Sequence, residues 1–120
     1  MEQKTISGNI RISDEAIAAI VAIAAKNVDG IVDMDLGTVG GIAGVLGIKY
    51  LNKGVKIDLK GDTVSVDVNV IIAFGRDIIE TSAEAQEKIR EAIEQMSGLI
   101  VDKINLTVTG VRPASEKKKN

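Results

Sequence analysis

Between Val55 and Ala73 the chain alternates apolar and polar residues almost without interruption. Val55, Ile57 and Leu59 are separated by Lys56, Asp58 and Lys60; beyond Gly61-Asp62, Val64, Val66, Val68, Val70 and Ile72 are separated by Ser65, Asp67 and Asn69. A period of two puts one set of side chains on each face, so this stretch predicts two antiparallel strands around a tight turn, one face buried and one wet. A short alternation over Gly8 to Ile12 predicts a first strand, and Ile31 to Met34 another. Ile104, Leu106 and Val108, spaced by Lys103, Asn105, Thr107 and Thr109, predict a last strand that ends before Pro113.

Two stretches follow the helical period instead. Ile17, Ile20, Val21, Ala24 and Val28 recur three and four apart behind Ser13, an N-cap residue followed by Asp14 and Glu15 at the positive end of the dipole. Ile23 and several alanines widen this stripe until little polar face remains, which suits a helix buried on more than one side, such as against a second copy of the chain. In the second helix, Asp77 and Glu80 match a capping box, Ser97-Gly98 supplies a stop, and Ala85, Ile89, Ala92, Ile93 and Met96 make the inward stripe. Glu84–Lys88 and Arg90–Glu94 are outward pairs at (i, i+4).

The order β-α-β-β-β-α-β predicts an α+β fold, a two-layer sandwich with two helices on one face of a mixed sheet. The opposite face is expected to carry Lys56, Asp58, Asp67, Asn69, Lys103, Asn105, Thr107 and Thr109. Residues 1–112 are expected to form a single domain with a glycine-rich loop at 37–47, and 113–120 a disordered basic tail. The loop sets Val39, Ile42, Val45, Leu46 and Ile48 among Gly37, Gly40, Gly41, Gly44 and Gly47, a density that disfavours helix by roughly 1 kcal/mol per glycine. Apolar side chains on such a backbone suit a protein contact surface. Charged substitutions at Ile42, Val45 and Leu46 are expected to weaken association without lowering the melting temperature.

Composition narrows the chemistry. The 120 residues contain no cysteine and no histidine, which removes disulfides, thiolate chemistry, the commonest metal ligands and the commonest general base. Tyr50 and Phe74 are the only aromatics, so there is little on which a base or sugar would stack. The net charge is −2, and Lys117, Lys118 and Lys119 against Glu116 leave the body more acidic than that total. An acidic body argues against broad nucleic-acid binding, and the lysines are a candidate contact for an acidic surface. The longest apolar stretch, Ala16 to Ala25, is about half the ~20 residues a bilayer crossing needs.

No cofactor motif emerges. No glycine precedes a Lys-Ser or Lys-Thr pair as a phosphate-binding loop requires, and Gly37-Thr-Val-Gly-Gly-Ile departs from the dinucleotide fingerprint. Asp29, Asp33 and Asp35 form an acidic run without the glycine and distal glutamate of a calcium loop. The element order is shared by ferredoxin-like RNA-binding domains, but their sheet aromatics are missing, as is the Gly-x-x-Gly turn of KH domains. The residues point to a non-enzymatic domain that binds proteins.

Several stretches, taken in order, resemble a known family. They are Gly8-Asn-Ile-Arg-Ile-Ser, then Val28-Asp-Gly-Ile-Val, Lys53-Gly-Val-Lys-Ile, and the Val64 to Ala73 strand closing on Phe74-Gly75. Gln86-x-Lys-Ile, Met96-Ser-Gly-Leu-Ile-Val and Ile104-Asn-Leu-x-Val-x-Gly-Val follow. From Gly8 to Val111 the chain resembles the alkaline shock protein 23 family, small envelope stress response proteins of Gram-positive bacteria. The resemblance implies a cytoplasmic protein at the inner face of the membrane, held there by an integral membrane partner, self-associating and without catalytic activity. Some relatives are linked instead to regulating fatty-acid synthesis. The alternatives are thus a regulator of a cytoplasmic enzyme and, further off, a KH-like nucleic-acid binder.

Overall fold

The computed structural model describes residues 8–35, 51–52 and 54–115, with the backbone alone at 51–52. Its elements are α1 (Asp14–Lys26), β1 (Ile31–Met34), β2 (Leu51–Asn52), β3 (Val55–Lys60), β4 (Thr63–Ala73), α2 (Ile78–Ser97) and β5 (Ile100–Arg112). β4 is the axis of the sheet because its valines alternate without a break, and Val64, Val66, Val68, Val70 and Ile72 are all buried. One edge of β4 carries β3 against residues 63–68 and β1 against residues 70–72, both antiparallel. The other edge carries β5, parallel, over the whole length of β4. β2 pairs with the outer edge of β3.

The caps sit where the sequence places them. Ser13 accepts from the Ala16 N–H at 3.0 Å, and Asp77 accepts from the Glu80 N–H at 2.9 Å. Gly98 ends α2 in the left-handed region at φ +78. Both helices lie on one face of the sheet, α1 over β1 and β3 and α2 over β5, and they touch each other. Ile17, Val21, Ile89 and Ile93 interlock there with the β4 valines and with Val55 and Ile57 of β3. The result is the expected two-layer α+β sandwich on a mixed sheet.

One expected element is absent. Residues 8–13 form no strand; the chain runs extended into the Ser13 cap, with Ile10 94% exposed. It cannot join the central strand, because both edges of β4 are already occupied by β1, β3 and β5, and it pairs with no outer strand among the described residues. Ile12 is the residue of this stretch that packs against the core. The observed order among the described residues is therefore α-β-β-β-β-α-β, with a short strand at Leu51–Asn52 that the residue pattern does not predict.

β5 is irregular at two places. Val101 lies opposite Val64 and Lys103 opposite Ser65, so Asp102 is an extra residue; likewise Val108 lies opposite Val70 and Gly110 opposite Ile71, leaving Thr109 extra. Each is a bulge that turns two successive residues to the open face of the sheet, Asp102 and Lys103 in the first and Thr109 and Gly110 in the second. Asp102 accepts from the Ser65 hydroxyl there, and Thr109 donates to Asp35.

Candidate functional site

A broad depression on the described surface lies between the helices, away from the sheet. It encloses ≈ 620 Å³, with Ala19, Ile20, Ile23 and Ala24 of α1 on one wall and Ala92 and Met96 of α2 on the other. Asn27, Glu84 and Lys88 line its rim. α1 buries Ile17, Ala18, Val21, Ala22 and Ala25 against the sheet, which leaves the rest of its apolar stripe to form this wall. Ile23 is 63% exposed and Met96 is 71% exposed. The surplus apolar surface expected of α1 thus exists, and it borders a groove instead of lying flat.

Met96 departs from its expected inward position. The buried stripe of α2 is Thr81, Ala85, Ile89 and Ile93, each four residues from the last. At about 100° per residue, Ala92 and Met96 lie roughly 100° and 60° to one side of Ile93. That side faces α1, so both reach the groove. Glu84 and Lys88, expected as an outward pair, both stand at its rim. The Arg90–Glu94 pair closes at 3.0 Å on the other flank, where Arg90 also bonds Glu87.

The groove can bury apolar side chains and little else. Its lining holds no hydroxyl or thiol and no convergent set of polar groups, only the Asn27 amide, one carboxylate and one ammonium at the mouth. The acidic run does not converge either. Asp29 pairs with Arg76 at 2.6 Å, Asp33 with Lys26 at 3.5 Å, and Asp35 accepts from Thr109. The hydrogen bond that Arg76 donates to Asp29, with the carboxylate's charge, raises the Arg76 pKa; Glu87 does the same for Arg90.

The open face of the sheet interleaves Lys56, Lys60 and Lys103 with Asp58, Asp67 and Asp102. Asn105 donates to Asp67 at 2.7 Å, and Lys60 approaches Asp58 at 3.9 Å. A face so balanced offers neither a continuous basic track nor a stacking platform for nucleic acid. The loop candidates Val39, Ile42, Val45, Leu46 and Ile48 and the tail candidates Lys117, Lys118 and Lys119 lie outside the described residues.

Fold and groove together define a two-layer α+β domain with an apolar cleft between its helices. The family model for alkaline shock protein 23, described as having cell envelope-related function, matches residues 2–113. The chain belongs to that family. It is 34% identical to YqhY of Bacillus subtilis (strain 168), covering 92% of this chain and 82% of that protein, and 32% identical to YloU of the same strain, covering 93% and 95%. A stress response regulator gls24 homolog of Streptococcus pyogenes is 26% identical over 89% of this chain and 60% of its own, longer sequence. Among solved structures, a MamM-CTD variant superposes with a TM-score of 0.52 at 14% identity, over 82% of this chain and 98% of that one, a likeness of fold.

Proposed function

We propose that this protein is a non-enzymatic interaction domain of the cell-envelope stress response. It acts at the inner face of the membrane by holding an integral membrane partner and by self-association. The observation that carries this reading is the interhelical groove, with Ile23 and Met96 exposed beside it. Exposed apolar surface concentrated in a rimmed depression marks a protein contact more often than a solvated face. An amphipathic helix or apolar segment of the partner is the ligand that such a groove accepts. No helix among the described residues is long and apolar enough to cross a membrane, which suits attachment through a partner. Absence of histidine and cysteine, together with the unreactive lining, supports the non-enzymatic part.

Charging the groove tests this. Ile23→Glu with Met96→Glu is expected to abolish co-purification of a membrane protein from the cells that make this chain, and to leave the melting temperature within a few degrees. Recovery of the same membrane partner with the charged variant contradicts groove docking. Recovery of soluble enzymes alone, with either form, replaces the scaffold reading by regulation of a cytoplasmic enzyme such as one of fatty-acid synthesis. The glycine-rich segment is proposed as a second contact, to be examined by charging Ile42, Val45 and Leu46 in the same assay.

A further inference from the structure

β5 is a thirteen-residue strand with β4 on one side and, among the described residues, no strand on the other. The outer edge of such a strand carries N–H and C=O groups that β4 does not pair. Their direction can be read at four points. The Ile100 N–H bonds Asp62 and the Arg112 carbonyl accepts from Phe74, both toward β4, whereas the Val101 N–H bonds Glu94 of α2 at 3.3 Å and the Ile104 carbonyl accepts from Gln86 of α2 at 2.9 Å. Alternation from Ile104 turns the N–H and C=O groups of Ile104, Leu106 and Val108 away from β4.

The two bulges of β5 are symmetric about Leu106. Asp102-Lys103 lies as far before it as Thr109-Gly110 lies after it. Because each bulge reverses the alternation, the pattern of side-chain faces along β5 is a palindrome. Ile104 and Val108 match across Leu106 on the helix side, as do Val101 and Val111, which lie opposite the buried Val64 and Ile72. Asn105 and Thr107 match on the open side.

From this symmetry we infer that a second copy of the chain adds its own β5 to this edge, antiparallel, with the two-fold axis at Leu106. In that register Ile104 faces the partner's Val108, and each bulge meets a bulge, so every pair keeps both side chains on one face. A shift of two residues sets helix-side residues against open-side ones, which the pleat does not allow. Charge agrees with the same register. Asp102 lies diagonal to the partner's Arg112 on the open face, within reach of a long side chain, and Lys103 faces the partner's Thr109, so no like charges are opposed. Gln86 must swing off the Ile104 carbonyl, and the incoming strand replaces its hydrogen bond. The inference rests on the self-association part of the proposed function and not on the groove.

The chain has no cysteine, so single cysteines report cleanly on the interface. Asn105 and the partner's Thr107 form a non-hydrogen-bonded pair, with Cα atoms about 4.5 Å apart, inside the span of a disulfide. Mixing the full-length Asn105→Cys and Thr107→Cys variants under oxidation is expected to give the mixed covalent dimer, and Lys56→Cys with Thr107→Cys none. Thr107→Lys, on the exposed face, is expected to weaken dimerisation at least about ten-fold in light scattering, because it sets two ammonium groups near the axis. A dimer indifferent to Thr107→Lys and without the mixed disulfide overturns the inference. If Ile23→Glu dissociates that dimer, self-association stands and runs through the groove. A monomer at high micromolar concentration removes edge pairing and self-association together, while the partner assay judges the groove separately.

Discussion

Gly54 holds the entry to β3 at φ +78, where a side chain is strained, and a Cβ built on it would lie 2.5 Å from the backbone oxygen of Asp35. Neither problem has a flexible neighbour to absorb it, because Asp35 is itself held by its N–H to the Asn69 carbonyl at 3.0 Å. Gly54→Ala is therefore expected to cost about 2–3 kcal/mol, measured as a loss in urea unfolding free energy at unchanged m-value. In the core, Ile89 is fully buried, and Ile89→Ala is expected to cost roughly 2–5 kcal/mol by cavity formation. Ile23 and Met96 are the contrast. They are as apolar as Ile89 yet mostly exposed, so charging them removes little packing. That difference makes them informative probes of binding.

The elements that the sequence discloses best are those whose pattern is local. The valines of β4 fall on one face through the pleat alone, and Ser13, Asp77 and Gly98 cap their helices through bonds to neighbours within four residues. What it conceals depends on distant pieces. Ile10 and Ile12 alternate as a strand does, but the central strand β4 is already flanked by three other strands, which is not a local property. The groove is hidden for the same reason. Met96 sits close enough to the α2 stripe to look buried, and only the placement of α1 beside it turns that flank into a wall. The symmetry of β5 is likewise invisible in the sequence, since a bulge is defined by the register of the neighbouring strand.

Over the whole molecule the net charge is −2, and the chain contains no histidine or cysteine, the side chains that ordinarily titrate nearest neutrality. The resolved shifts are upward, at Arg76 beside Asp29 and Arg90 beside Glu87. A raised arginine contributes its stabilisation fully below the unfolded value, and that contribution is lost only as pH climbs through the raised one, far into alkali. The melting temperature is accordingly expected to stay flat between about pH 6 and 9. A transition near pH 7 in thermal scans would show a titrating group that these interactions do not include.

Docking of a membrane-embedded protein in the interhelical groove is tested by a photo-cross-linking amino acid placed at Ile23 in the living cell. Ile23 is 63% exposed, so the substitution leaves the core intact. One dominant adduct is expected, in the membrane fraction, with an integral membrane protein. An adduct confined to soluble enzymes or to a second copy of this chain, or none while the same group placed elsewhere on the surface captures a membrane protein, would contradict it.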